Sequence, residues 1–290
     1  MSATPLTWGG RSIPAPGGLP AVAVSLTGPS LAQARTQARS AIDAGADVLE
    51  LRVDLLEEAG ALAAPDPLDA ATAAAQVLEC LRGLGEIIAA DGADAGAGAP
   101  LLLTCRTAAE GGRARLDDTA YAALLHSVLD GLADWAPERR PAAIDVEVQR
   151  GCLPQVCTQA HALSIDVVAS FHDFKATPVD DVLEDVLSRM ASEGADLAKI
   201  AVWPTGADDV ARLLGMCARA AAAPGEGTGL GLPVAAMSMG ALGAVSRVAP
   251  VFGSALTFAV VPDEQGETQA SAPGQLPIQD VRRCLELLRA

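Results

Sequence analysis

Eight short runs of aliphatic and β-branched residues recur along the chain, each followed by a longer stretch of helical periodicity. The runs are Pro20–Leu26, Val48–Val53, Leu101–Cys105, Ala142–Val148, Asp166–Phe171, Leu197–Val202, Val234–Ser238 and Ala255–Val260. The helical stretches are Leu31–Ala44, Pro67–Ala90, Asp117–Trp135, Gln155–Leu163, Pro178–Glu193, Ala207–Ala223, Ala241–Val248 and a closing Ile278–Leu288. Consecutive strands joined by a helix run parallel, because a crossover returns the chain to the same edge of the sheet. Eight such units in strict alternation suit a closed (β/α)8 TIM barrel, which takes roughly 250 residues, better than an open sheet. The reading is one barrel domain over residues 20–290, with residues 1–19 as a short N-terminal arm covering its bottom. The segments Asp91–Ala99 and Pro224–Gly231, rich in Gly with Ala or Pro, precede strands and so read as surface insertions away from the catalytic end.

Composition narrows the partners. The chain has 20 Lys+Arg against 36 Asp+Glu and a formal net charge of −16, which leaves no basic face for nucleic acid or an anionic membrane. The N-terminal 20 residues lack the apolar core of a signal peptide, and the most apolar window, Val248–Pro262, is too short to span a bilayer, so the expected compartment is the cytoplasm. The six cysteines show no CxxC pair and read as small buried hydrophobes. Cys152, Cys157 and His161 lack the further ligands a metal site needs, so no metal is expected. Ser238 lacks the first glycine of a nucleophile elbow. Gly227-x-Gly229-x-Gly231 opens no helix and is no phosphate loop.

In a barrel the chemistry collects at the C-terminal ends of the strands. Strand alternation places Glu50, Arg52 and Asp54 on one face, Asp145 and Glu147 likewise, and Ser170 with His172. Thr104 and Arg106 come at the end of the third run, and Glu110 follows. The sharpest residue is Lys199, in the middle of an apolar run, in a chain with 18 Arg and only one other Lys, Lys175. A structural Lys199 would pair with Glu50, Asp145 or Glu147. With guanidinium groups expected at the barrel mouth, however, desolvation and like charge favour a free amine that attacks ketones. His172 stands at a strand end, where an imidazole moves protons at neutral pH and Glu110 can orient it. Arg247, near the mouth, suits a carboxylate. Ser271 and Gln275, on a Pro-Gly loop, suit hydroxyls of a small polyol.

These pieces occur in a recognisable order: Glu50-Leu-Arg52-Val-Asp54, Thr104-Cys-Arg106 with Glu110-Gly111-Gly112, Ser170-Phe-His172-Asp-Phe174, Lys199-Ile-Ala-Val, Ser238-Met-Gly240 with Ser246-Arg247, Phe252-Gly253-Ser254 with Thr257-Phe258-Ala259, and Ala272-Pro273-Gly274-Gln275. The chain from about Pro20 onward resembles the type I 3-dehydroquinate dehydratases of the shikimate pathway. The resemblance implies a homodimeric barrel enzyme that uses a Lys Schiff base and neither metal nor organic cofactor. It implies Lys199, His172 and Glu110 as catalytic residues, and Arg247 as the grip on the substrate carboxylate. Glu50, Arg52, Arg106, Ser271 and Gln275, with Ser25 as a weaker candidate, would hold the hydroxyls. The rival readings are a class I aldolase-type Schiff-base barrel and a non-catalytic binding barrel. With two lysines in the chain, the nucleophile has a binary test. Lys199→Ala should abolish dehydration of 3-dehydroquinate and Lys175→Ala should leave it at the parent rate, both followed by the ultraviolet absorbance of the conjugated product.

Overall fold

Successive side chains of a strand face opposite ways, and in this chain the two ways differ in chemistry. The computed structural model describes residues 4–63, 69–91, 99–222, 229–262 and 269–289. Most of the segments Asp91–Ala99 and Pro224–Gly231, with Gly227, and the helix-end residues Pro67 and Ala223 lie outside the described residues. Eight parallel strands form the wall: β3 (Ala21–Leu26), β4 (Val48–Arg52), β5 (Leu101–Thr104), β6 (Ala143–Glu147), β7 (Asp166–Asp173), β8 (Leu197–Val202), β9 (Val234–Ser238) and β10 (Leu256–Val260). Adjacent strands pair in chain order and β10 pairs with β3. Between β9 and β10 the wall is joined by the Ala255 N–H donating to the Val234 carbonyl at 2.7 Å. A two-residue strand, β11 (Leu276–Pro277), adds to β10 outside this set.

The outward positions, among them Val24, Leu49, Leu51, Leu103, Ile144, Val146, Val167 and Ile200, pack beneath the helices in one continuous aliphatic core. The helices are α1 (Leu31–Asp43), α2 (Ala70–Asp91), α3 (Asp118–Leu132), α4 (Leu153–Ala162), α5 (Asp180–Ser192), α6 (Ala207–Ala220) and α7 (Ile278–Leu287). Local chemistry starts them. Ser30 and Gln33 form a reciprocal capping box on α1, and the Asp117 carboxylate accepts from the Ala120 N–H on α3. The lower inward positions are also apolar: Val48, Leu102, Ala143, Val168, Leu197, Ala235 and Leu256 form a floor.

One expected helix is absent. Residues 241–248 form no α-helix but a 3-10 turn, Ala244–Arg247, followed by another at Pro250–Phe252. The Ser246 hydroxyl accepts from the Ser238 N–H at 2.9 Å and donates to the Gly243 carbonyl at 2.7 Å, folding the segment back over the end of β9. Gly243 permits that approach, since a Cβ there would lie 2.3 Å from the Ser238 carbonyl oxygen. Pro250, with no N–H, stops a helix from continuing. The turn buries Arg247 at the barrel mouth instead of exposing it on a helix.

The arm residues form an antiparallel hairpin of β1 (Leu6–Trp8) and β2 (Arg11–Ile13). Trp8 and Ile13 are fully buried against the floor, and the Trp8 indole N–H donates to Asp166 at 2.8 Å. Truncation of a buried aromatic costs about 3–5 kcal/mol. Trp8→Ala should therefore lower the unfolding free energy measured by chemical denaturation by about 3–5 kcal/mol, while kcat/KM at 25 °C stays at the parent value because the hairpin lies at the opposite end from the polar interior.

Candidate active site

Above the apolar floor six strands turn polar on their inner face: Ser25 from β3, Glu50 from β4, Thr104 from β5, Asp145 from β6, Ser170 from β7 and Lys199 from β8. Lys199 Nζ donates to Glu50 Oε1 at 3.5 Å and to Asp145 Oδ2 at 3.3 Å, and lies 4.5 Å from the centroid of the Phe258 ring. Of the three carboxylates weighed as its partners, Glu147 is engaged elsewhere, by Arg106, Arg150 and Thr107. The nearest charged groups to the amine are thus carboxylates and not the guanidinium groups expected from the sequence. The reason is register: the inward positions of β4 and β6 that reach the height of Lys199 carry acids, whereas Arg52 and Arg106 stand one layer higher.

Each acid has donors. Glu50 accepts from Ser25 and, at 2.9 Å, from Thr104. Burial pushes its carboxyl up, but the charges of Lys199 and Arg52 and the Ser25 hydrogen bond outweigh burial and hold it below its ordinary value. Asp145 follows the same pattern: Arg106, Lys199 and Ser170 overcome burial and keep its carboxyl low. Arg106 spreads its guanidinium over Asp145 at 2.7 Å, Ser170 at 2.9 Å, Glu147 at 3.1 Å and Glu110 at 3.4 Å. Arg52 forms a two-bond fork with Asp54, both contacts 2.8 Å, and Asp54 also accepts the backbone N–H groups of Arg106 and Arg113. That carboxylate ties the loop carrying Glu110 to β4.

His172 falls inside β7, which runs two residues beyond its expected end, and its Nδ1 lies 2.8 Å from Glu110 Oε2. Burial pushes the imidazole well below its ordinary value, and the charges of Arg106, Lys199 and Arg52 push the same way. Burial, reinforced by Glu147 and Asp145, outweighs Arg106 and carries the Glu110 carboxyl up to about 8. Both shifts favour an uncharged pair sharing one proton. The other two histidines are in pairs remote from the cleft, His126 with Gln159 and His161 with Asp196.

A cleft of about 460 Å³ opens over these groups. It brings together Lys199, His172, Glu110, Glu50, Arg52, Arg106, Arg247, Ser271 and Gln275, nine of the ten site residues expected from the sequence. Ser25 is the exception. It stands on the inner face of β3 but outside the cleft lining, donating to Glu50 and accepting from Ser271 at 2.8 Å. Asp145, weighed from the sequence only as a structural partner of Lys199, stands beside the amine together with Glu50. Phe258 and Met237, which also line the cleft, were legible only as inward positions of apolar strands. Phe174 packs over Gly111, where a Cβ would lie 2.3 Å from its ring.

Arg247 differs from the other cations of the cleft. Its NH groups donate to the Phe258 carbonyl at 3.5 Å, the Pro273 carbonyl at 3.2 Å and the Met237 sulfur at 3.7 Å, and its Nε has no partner. Among the described residues no carboxylate reaches it, and burial lowers the group to about 10.

The sequence profile described as type I 3-dehydroquinase matches residues 22–290. The chain belongs to the type I 3-dehydroquinase family of lyases. Among similar proteins, the 3-dehydroquinate dehydratase of Klebsiella pneumoniae subsp. pneumoniae is 35% identical over 271 residues, covering 92% of either chain. That of Escherichia coli O17:K52:H18 is 34% identical over 275 residues, 93% of this chain and 94% of the other. The crystal structure of the 3-dehydroquinate dehydratase from Geobacillus kaustophilus HTA426 superposes with a TM-score of 0.79 at 29% identity, over 99% of this chain and 97% of that one. The type I enzyme from Clostridium difficile, solved with covalently modified comenic acid, gives 0.79 at 28% identity, over 99% and 98%. Among the described residues no helix is long and apolar enough to cross a membrane.

The raised Glu110 carboxyl sets the sign of a stability change. Below about 4.5 the group is protonated whether the chain is folded or not; between 4.5 and about 8 the unfolded chain releases a proton that the folded site retains. Stability attributable to Glu110 therefore falls as pH rises through that window. In urea denaturation at pH 5, 6.5 and 8, the parent should lose stability relative to Glu110→Gln as pH rises. A difference that does not change with pH would place an ionised Glu110 in the fold.

Proposed function

We propose that the chain dehydrates 3-dehydroquinate to 3-dehydroshikimate through a Schiff base on Lys199, with His172 moving the proton. The observation that carries this reading is the company of the amine: Lys199 shares one cleft with an uncharged imidazole and with Arg247, a buried guanidinium that no carboxylate reaches among the described residues. The names of the chain's relatives point to the same substrate.

The free amine of Lys199 attacks the ketone carbon, a C–N bond forms, and the carbonyl oxygen leaves as water to give an iminium ion. The iminium withdraws electrons from the adjacent carbon, so its C–H becomes acidic. With its Nδ1–H donated to Glu110 Oε2, His172 keeps a free Nε2 lone pair, which takes that proton. The electron pair forms the new C=C bond as the β-hydroxyl departs, carrying the proton returned by His172 and leaving as a second water. Hydrolysis of the iminium releases the conjugated ketone and restores the amine. Arg247 grips the ring carboxylate in two parallel hydrogen bonds. Glu50, Arg52, Arg106, Ser271 and Gln275 hold the hydroxyls, and Ser25 acts through Glu50. Since the iminium is itself the electron sink, the steps draw on side chains alone. The same reading takes the working form as a cytoplasmic homodimer.

Borohydride reduction in the presence of 3-dehydroquinate, followed by mass mapping, tests the reading. The parent should carry the adduct on the Lys199 peptide. His172→Ala should still carry it but lose turnover, because imine formation and proton transfer fail separately. An unlabelled Lys199, or near-normal dehydration by the His172 variant, would sink the corresponding role.

A further inference from the structure

Two groups touching Lys199 Nζ, Asp145 and the Phe258 ring, have no task in the steps above, and of the two only the ring is not a hydrogen-bond acceptor. β10 points Leu256 into the floor and Phe258 into the layer above, where the ring is 3% exposed and presents its face to the amine at 4.5 Å. An aromatic face is the negative end of a quadrupole, so a positive nitrogen above it is stabilised and a neutral one is not, most strongly where water is excluded. The nitrogen is positive in the ammonium form and again in the iminium form; it is neutral in the free amine and in an imine that has lost its proton. Only the iminium acidifies the neighbouring C–H. Resting on the Schiff-base reading, we propose that the Phe258 ring keeps the Lys199 Schiff base protonated, and so keeps it competent as an electron sink.

Two features separate this role from that of other groups in the cleft. Glu50 and Asp145 approach the nitrogen as hydrogen-bond acceptors and could receive its proton; the ring favours the charge without offering a base. Phe258 meets Arg247 through its backbone carbonyl, which any substitution keeps, so loss of the ring leaves that contact of the guanidinium in place. The other charged or titratable groups around the cleft are Arg52 on β4, Arg106 at the end of β5, Glu110 on the following loop, Glu147 on β6, His172 on β7 and Arg247 on the turn after β9. All of them are shared by the parent and a Phe258 variant, so a difference between the two reports the ring.

The test uses the full-length chain with the conjugated product, 3-dehydroshikimate, whose protonated imine absorbs at longer wavelength than the neutral imine. The band is titrated with pH for the parent, Phe258→Leu and Phe258→Tyr. The expected midpoint for Phe258→Leu lies about one pH unit below the parent, a tenfold change in acidity, and Phe258→Tyr stays near the parent. The 3-alcohol analogue of the substrate, which has the carboxylate but no ketone, should bind Phe258→Leu as it binds the parent. If the leucine variant does not fold, a fluorinated phenylalanine at position 258 keeps the shape and drains the ring face, and should lower the midpoint in the same direction. Coincident titrations of the parent and the ring-depleted variant overturn the proposal while leaving the Schiff base intact. A parent that forms neither the band nor a reducible adduct instead removes the Schiff base itself, and the role of the ring with it.

Discussion

Charge neutralisation inside the barrel is the constraint on which the rest of the structure depends. An ion taken out of water costs several kcal/mol unless a partner of opposite sign and satisfied hydrogen bonds offset it. The interior answers with a matched set. Lys199, Arg52, Arg106 and Arg150 each contact at least one of Glu50, Asp54, Asp145 and Glu147. Glu110 and His172, both shifted toward their uncharged forms, drop out of the count at neutral pH. Among the described residues Arg247 is left over. The vacant half of the balance is one negative charge, which a monocarboxylate supplies and a neutral ketone does not. On this view selectivity for an acidic ring compound is built into the electrostatics before any hydroxyl is recognised.

The same network explains why the cleft is rigid where it meets the reacting atoms. Arg106 holds three carboxylates and a hydroxyl at once, and Asp54 clamps Arg52 with two backbone N–H groups from the loop that carries Glu110. Removing one member would leave a buried charge uncompensated, a loss of 3–5 kcal/mol in comparable settings. Residues read from sequence as contacts for substrate hydroxyls thus already have full-time partners within the wall, and what they present to a ligand is the remaining edge of a fixed array.

How much was visible beforehand follows from which signals are local. Strand alternation is local, so the inward direction of Glu50, Arg52, Asp145, Lys199 and His172 could be read directly, and with it the barrel. The depth of each side chain was not legible, because it depends on the stagger between neighbouring strands, a long-range property. That is why Lys199 was expected among guanidinium groups and is found between Glu50 and Asp145. The stretch 241–248 carries helical periodicity, yet the Ser238–Ser246–Gly243 hydrogen bonds, made across a turn, override it. Ser25 was weighed only as a weaker contact for hydroxyls; its neighbours Glu50 and Ser271, distant in sequence, decide that it braces the wall.

The hairpin beneath the floor has a consequence for traffic. With Trp8 and Ile13 buried against the floor, the barrel is, among the described residues, a cup whose cleft opens to solvent at the other end, beside Gly111, Phe174, Ser271 and Gln275. On the proposed mechanism, substrate, product, the two waters released and the one taken up in each turnover share that doorway. A spent ring must vacate before a fresh one can enter, and water needed to free the amine arrives by the path the product leaves. Arrival and departure are therefore mutually exclusive events, and a compound lodged at the rim would block both at once without touching the lysine.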